Sequence, residues 1–135
     1  MRLLYKGKDG GNKSTVTGNW LFEFKSLFSI SLLKFDLGSR EEYHTHAFNA
    51  ISWYILGHTE EHILNGNIIE RKGLCLPKLT KRGCFHKIKA LKPTWVLTIR
   101  GRWLDNWLEF NPRTQQYTQF THGRTIIHIT NEVPK

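Results

Sequence analysis

Two histidines separated by a single residue, His44 and His46, carry the clearest chemical signal in this 135-residue sequence. Side chains alternate along an extended strand, so residues two apart point to the same side. Two imidazoles on one side can bind a single metal ion, the commonest use of paired histidines. A third histidine, His86, follows residues 82–85 and could complete the set. The alternative is that His44 and His46 are ordinary polar residues on a solvated strand face.

A carboxylate near these histidines would narrow the choice of metal and of reaction. Neutral imidazoles suit Zn, Fe, Ni, Cu or Mn, and three protein ligands leave positions open for water or substrate. Two histidines with one carboxylate would favour Fe(II) and oxygen activation. Glu61 is the best candidate, since it lies four residues past Gly57 on the next predicted strand. The competing interpretation is an exposed carboxylate beside a lysine or arginine. Glu60 should point away from Glu61, on the face of His62.

Four further residues are candidates for binding a substrate. Arg82 could hold an anionic group in its bidentate fork, or it is a surface arginine. Cys84 has the parity of His86 and could line the same cavity, although burial is the ordinary role of a free cysteine. Tyr54 is a candidate for the cavity mouth and Trp95 for its wall. The remaining histidines are not expected to be ligands: His58, His62, His122 and His128.

The segments that must position these residues are typical of short strands. Alternating or β-rich runs cover residues 20–24, 28–35, 43–48, 50–56, 59–64, 67–70, 85–91, 94–100, 107–110, 117–120 and 125–129. Asn65-Gly66 predicts a type I′ hairpin, because both central residues of that turn need positive φ. No window keeps a period of 3.6 over the length of a helix. About ten short strands without a helix predict a sandwich, jelly roll or barrel.

Length and composition indicate one folded domain. The chain is 39% hydrophobic and 13% aromatic, which separates it from disordered proteins. Residues 1–18 are rich in Gly, Lys, Asn, Ser and Thr and predict a flexible N-terminal lead-in to a domain over 19–135. No secretory signal or bilayer-length apolar run is visible, so we predict a cytoplasmic protein with no membrane partner. Its cysteines, Cys75 and Cys84, should then be free thiols.

The chain is strongly basic, with a formal charge of +9 and a pI near 9.8. Ten of its 20 basic residues fall between Arg71 and Arg102. Such a segment could bind nucleic acid or an anionic small molecule. The alternative is that they lie on solvated outer strand faces, which their alternating spread favours. No recognised nucleic-acid motif accompanies them.

The strands and histidines together resemble the cupin superfamily. Its first motif, Gly-x5-His-x-His-x3-4-Glu-x6-Gly, is matched by His44, His46 and Gly57, whereas Ala50 stands in place of the glutamate. Residues 83–86 match the Gly-x-x-His of the second motif, without its flanking proline and asparagine. The resemblance implies an all-β, single-domain double-stranded β-helix, a jelly-roll barrel that often forms homodimers.

Residues 28–118 also resemble small, mostly uncharacterised cupin-like proteins of bacteriophages and bacteria. The family's His-x-His-Pro-Trp corresponds to residues 44–48, its acidic pair to 60–61, its Arg-x-x-x-His to 82–86 and its Pro-x-Trp-x-Leu to 93–97. The resemblance implies a cytoplasmic protein, in the host cytoplasm if phage-encoded, that binds a divalent transition metal. Fe or Zn would come first, with Ni or Mn next.

Three functions remain open at this point. The first is a dioxygenase- or hydroxylase-like enzyme acting on a small or peptidic, anionic substrate, with His44, His46, His86 and Glu61 at the metal. The second is a non-catalytic barrel that captures a small anionic ligand, as a sponge or host-defence antagonist. The third is a basic protein associated with nucleic acid. Gly-x-Ser-x-Gly and phosphate-loop motifs are missing, which argues against hydrolases and kinases.

Overall fold

The computed structural model describes residues 1–39 and 42–134, and these contain eleven strands and no α-helix. The strands are β1 (Arg2–Lys8), β2 (Val16–Phe24), β3 (Phe28–Phe35), β4 (Tyr43–His44), β5 (Ala50–Ile63), β6 (Ile68–Lys72), β7 (Lys78–Thr80), β8 (His86–Arg100), β9 (Asn106–Asn111), β10 (Gln116–Thr121) and β11 (Thr125–Thr130). One 3₁₀ turn, His122–Arg124, links β10 to β11. The predicted all-β class is confirmed, although β5 and β8 each join two of the predicted short runs into one long strand.

The strands form one antiparallel sheet. Its hydrogen-bonded path runs β1-β2-β3-β8-β4-β9-β10-β11 and does not close on itself within the described residues. β5 pairs with β8 along most of its length and carries β6 and β7 on its other edge. Strands distant in sequence, such as β3 and β8, are therefore neighbours, and inner faces of both halves of the chain surround one cavity.

The two longest strands, β5 and β8, form the frame of the site. The predicted break between residues 50–56 and 59–64 is wrong, because β5 continues through Gly57 as a bulge. Gly57 has a φ of +117°, and a Cβ there would lie 2.6 Å from the carbonyl oxygen of Pro93. Glycine is required at such a point, and the bulge bends the strand.

The predicted lead-in contains the first strand. β1 pairs with β2 in register, with Arg2 opposite Glu23 and Lys8 opposite Thr17. An exposed edge strand shows little of the apolar alternation that marks a strand with one buried face, which is why the sequence pattern missed it. The mobility of residues 1–18 and the domain boundary at residue 19 stay predictions; Lys135 lies outside the described residues.

The predicted hairpin after β5 is confirmed, but its turn type is not. Asn65 has a φ of 55°, whereas Gly66 lies outside the left-handed region that type I′ requires. The Ile63 N–H donates to the Asn67 carbonyl at 3.1 Å, and the Gly66 N–H donates to the Ile63 carbonyl at 3.0 Å. The loop is therefore one residue wider than a two-residue turn.

Two apolar clusters flank the cavity, which has a volume of about 330 Å³. The first consists of Leu33, Phe35, Tyr54, Ala90 and Val96. The second consists of Ala47, Phe48 and Ala50, with Trp103 and Trp107 packed against them. The core is thus divided by a space that polar side chains can enter. No helix in the described part of the chain is long and apolar enough to cross a membrane.

Candidate metal centre

Three histidine side chains converge on the cavity wall. His44 on β4 is paired in register with His86, the first residue of β8, and their ring centroids are 5.0 Å apart. The His46 ring lies 4.9 Å from that of His44 and 5.0 Å from that of His86. One ring nitrogen from each lies within 4.8 Å of the other two. The predicted convergence is confirmed, and these three imidazoles could hold a metal ion.

The strand argument explains only part of this convergence, because β4 ends at His44 and the following residues are irregular. Thr45 instead turns toward β9: its N–H donates to the Leu108 carbonyl at 2.9 Å, and its hydroxyl accepts from the Leu108 N–H at 2.9 Å. The His46 N–H donates to the Arg82 carbonyl at 3.0 Å. Backbone hydrogen bonds to two other segments therefore direct the second imidazole.

Glu61 lies behind His86 and outside the group of metal-facing atoms. Its side chain is fully buried, and one oxygen lies 2.5 Å from Nδ1 of His86. The Arg71 guanidinium donates to the other oxygen at 2.7 Å, and Lys78 also contacts the carboxylate. The prediction of Glu61 as a metal ligand is corrected. The β5–β8 register sets Glu61 opposite Ile88, so it approaches His86 from the far side of the imidazole.

The charge on Glu61 decides which nitrogen of His86 is free. Burial by itself raises the pKa of Glu61, but hydrogen bonds and charges from His86 and Lys78 hold that pKa at about 2. An ionised carboxylate only accepts hydrogen bonds, so Nδ1 of His86 donates to it, and in the neutral form of the ring Nε2 keeps its lone pair.

That free nitrogen faces a second imidazole, because Nε2 of His86 lies 2.8 Å from Nε2 of His46. Two ring nitrogens this close repel each other unless one donates a proton to the other or both face a cation. Nitrogen donors of this kind fit a divalent transition metal.

A second carboxylate, Glu109, lines the cavity beside this group. It is buried, lies opposite His44 in the β4–β9 ladder, and accepts a 2.8 Å hydrogen bond from Arg124. Sequence reasoning missed Glu109. The alternation in residues 107–110 could have assigned it to the inner face with Trp107, but nothing in the sequence pointed to its pairing with Arg124.

Tyr54 is a wall residue of this cavity and not a residue of its mouth. It is 4% exposed and belongs to the first apolar cluster. Burial raises the pKa of its phenol well above the ordinary value, and the Glu61 charge adds to that rise, against an opposing effect of Arg71. The Arg71 guanidinium lies 5.1 Å from the Tyr54 ring centroid. Its role in substrate binding stays a prediction.

Three predicted cavity residues lie elsewhere. Arg82 and Cys84 are in the turn before β8, where strand parity does not apply, and they line a separate groove with Asn49. Trp95 is half-buried on the face of β8 opposite to Val96, which lines the cavity. The prediction that Arg82, Cys84 and Trp95 line the cavity with the histidines is corrected.

Among the arginines that line the cavity, Arg100, the last residue of β8, is the buried one. It is 4% exposed, and its guanidinium lies 4.6 Å from the Trp20 ring and 4.7 Å from the Phe48 ring. Asp9 accepts two hydrogen bonds from it, at 3.1 and 2.5 Å. The sequence placed Arg100 among ten basic residues that either bind an anion or lie on outer strand faces, and the structure buries it. Its even spacing from Val96 was the signal that it points inward.

The other histidines are engaged on outer faces or lie outside the donor group. His58 contacts Glu70 at 2.5 Å, and His62 contacts Glu60 at 3.2 Å, which confirms that Glu60 and His62 share a face. Within the part of the chain that the structure describes, the group of three donors includes neither His122 nor His128. Cys75 and Cys84 are free thiols, as predicted.

Comparison with known proteins connects this architecture to a known fold. No family model matches the sequence, and no curated protein matches it. Among solved structures, ectoine synthase from P. lautus superposes with a TM-score of 0.58 at 14% identity, over 69% of this chain and 68% of that one. A cupin-superfamily sugar phosphate isomerase from Silicibacter pomeroyi gives 0.60 at 11% identity, over 86% and 76%.

A third structure carries the description of the fold itself. An uncharacterised protein with a double-stranded β-helix domain from Klebsiella pneumoniae gives a TM-score of 0.56 at 16% identity, over 73% of this chain and 87% of that one. At these identities the likeness shows the fold. The chain has the cupin fold, a double-stranded β-helix, as its sequence predicted, and structures with this fold include enzymes.

Proposed function

We propose that this chain is a metal-dependent enzyme of the cupin fold that acts on a small anionic molecule. The observation that supports it is the group formed by His44, His46 and His86, whose donor atoms lie within 4.8 Å of one another on the wall of a cavity. The cavity volume of about 330 Å³ is at the lower end for small-molecule sites, which favours a metabolite over a peptide.

The three imidazoles would hold a divalent transition metal, with iron or zinc favoured over nickel or manganese. Bound iron would supply oxygen chemistry of the dioxygenase or hydroxylase kind, whereas zinc would supply Lewis acidity or an activated water. Glu61 keeps the His86 ring in the tautomer that leaves Nε2 free. Phe48 and Tyr54, both nearly inaccessible, exclude water from the reacting centre.

Metal analysis of protein purified without a histidine tag tests this function. We expect close to one transition-metal ion per chain, and loss of most of it in His44→Ala, His46→Ala and His86→Ala. His128→Ala is the matched control, because His128 is an exposed residue of β11 and should leave the metal content unchanged. Circular dichroism checks that each variant is folded.

Two results would contradict the proposal. One is wild-type protein that retains no transition metal after expression with iron, zinc, nickel and manganese supplied. The other is a His44→Ala variant with the metal content of the wild type. If iron is retained, oxygen consumption with candidate carboxylates tests the oxygenase reaction; if zinc is retained, the oxygenase version fails.

Other predictions about partners and location rest on the sequence alone. Nucleic-acid binding is the less favoured explanation of the formal charge of +9. An elevated absorbance of the purified protein at 260 nm that falls when salt is added would support it. Pairing of two copies through an edge strand, the cytoplasmic location and the phage origin stay predictions.

A further inference from the structure

We propose that Arg100 is the carboxylate-binding residue of the cavity, and that Asp9 competes with the ligand's carboxylate for it. Asp9 opens the β1–β2 loop, residues 9–15. Calling the bound anion a substrate rests on the function proposed above, whereas the binding itself requires only the residues argued here.

The Arg100 guanidinium is held ready for a planar anion. It is nearly inaccessible to solvent, and the rings of Trp20 and Phe48 lie within 5 Å of it, at 4.6 and 4.7 Å. A guanidinium placed in this way presents parallel N–H groups with little freedom to reorient. Burying such a charge is unfavourable unless a partner compensates it.

Asp9 makes the contacts that a ligand carboxylate would make. Its two oxygens accept from the two terminal nitrogens of Arg100, the paired geometry that carboxylates adopt on arginine. The Asp9 side chain keeps a quarter of its surface exposed, whereas that of Arg100 keeps one twentieth. Asp9 is therefore the more solvent-accessible partner of the pair, and it lines the cavity.

The segment that carries Asp9 can yield to a competitor at low cost. Gly10 and Gly11 follow it with φ values of 93° and 96°, which only glycine adopts freely. β1, on the other side of Asp9, is an edge strand whose side chains are almost all exposed. Few buried contacts hold this end of the sheet, and segments of that kind open at small free-energy cost.

The position of Arg100 suits a molecule that also reaches the histidines. The Phe48 ring is close to both Arg100 and the histidines: its centroid is 5.1 Å from that of His46 and 4.7 Å from the Arg100 guanidinium. A small carboxylate bound to Arg100 would extend along Phe48 toward the three imidazoles. The ligand class is thus a short organic acid with a second polar group a few bonds from its carboxylate.

Calorimetric titration with sodium succinate tests the site, in protein stripped with EDTA and at ionic strength matched with chloride. Hydrogen bonds to charged groups contribute about 1.5–3 kcal/mol, so removing the competitor in Asp9→Asn should tighten succinate binding at least about tenfold. Arg100→Gln should abolish it. Asp105→Asn, the same change at an exposed position, should bind as the wild type does.

Equal affinity in Asp9→Asn and wild type, or retained binding in Arg100→Gln, would overturn the proposal. Phosphate binding more tightly than succinate would overturn the choice of a carboxylate. Should Arg100→Gln fail to fold, amide NMR of the wild type decides: the Gly10 and Gly11 signals must shift with succinate, and static signals overturn the idea. Because no metal is present, failure here differs from failure of the metal centre.

Discussion

Replacing Glu61 with glutamine separates its role at His86 from a role as a metal ligand. The carboxylate is completely buried and accepts from Nδ1 of His86 at 2.5 Å, so glutamine keeps the shape and loses the charge. A hydrogen bond to a charged group contributes about 1.5–3 kcal/mol. At 1.4 kcal/mol per decade that is about 10- to 100-fold in metal affinity, the range found for carboxylates that orient a ligating histidine.

The same substitution should also lower the free energy of unfolding without metal. Arg71 and Lys78 both contact the Glu61 carboxylate and would be left facing a neutral amide. Breaking a buried ion pair costs about 3–5 kcal/mol. We expect the low end, about 3 kcal/mol, because the two cationic side chains keep 12% and 18% of their surface exposed.

Competition with a chromophoric chelator measures the metal affinity, and urea unfolding of the stripped protein measures stability. Glu60→Gln is the matched control: it changes the neighbouring carboxylate, which contacts His62 on the opposite face, and should alter neither quantity. Unchanged metal affinity in Glu61→Gln would refute the argument that the charge of Glu61 strengthens His86 as a ligand. Complete loss of metal with unchanged stability would instead indicate a direct ligand and refute the placement of Glu61 behind His86.

Three further predictions follow from single positions. Gly57→Ala should lower the free energy of unfolding, measured in urea, by more than about 1 kcal/mol, because Gly57 has a positive φ and lies close to the β8 backbone. Gly83→Ala is the control and should leave that free energy unchanged, because there is open space around Gly83. Burial raises the pKa of Tyr54, so the folded state keeps the phenol neutral, and the stabilisation from this residue is full below about pH 10 and declines above it. In Tyr54→Phe, the free energy of unfolding measured from about pH 9 to 12 should decline less steeply. Alkylation of denatured, unreduced protein should label both Cys75 and Cys84; labelling of neither would indicate a disulfide.

The fold was largely predictable because short alternating or β-rich runs mark most of the strands. Residues 28–35 alternate with a period of two, as the sequence indicates, although Ser29 and Ser31 lie on the buried face and Phe28, Ile30 and Leu32 on the other. The parts of the fold that were not predicted from the sequence were missed for physical reasons. β1 is an exposed edge with no buried face, and the bulge at Gly57 lets one strand continue where a glycine otherwise indicates a break.

The direction of a site residue could be predicted where the residue lies in a strand, because side chains alternate there. It could not be predicted where the residue lies in a turn. His86 begins β8, so its inward direction follows from the strand, whereas Arg82 and Cys84 precede the strand and parity had no meaning for them. The prediction for Trp95 contradicts the parity rule itself. Arg100, and not Trp95, has the parity of the inward face of β8. Glu61 was assigned the correct face, but its distance from the donor atoms depends on the β5–β8 register, which no local pattern encodes.

The charges around the cavity explain why an acid, rather than a neutral molecule, should be its ligand. Ala50 occupies the place where the related motif carries a glutamate, so three neutral imidazoles would not offset the charge of a bound metal, and Glu109 beside them is already paired with Arg124. Glu61 lies behind His86 and is already shared among Arg71, Lys78 and His86. Arg100 adds a second positive centre to the lining of the same cavity, where Asp9 accepts two hydrogen bonds from it. An anion that displaced Asp9 would meet both charges in a low-dielectric space, where their attraction is strongest.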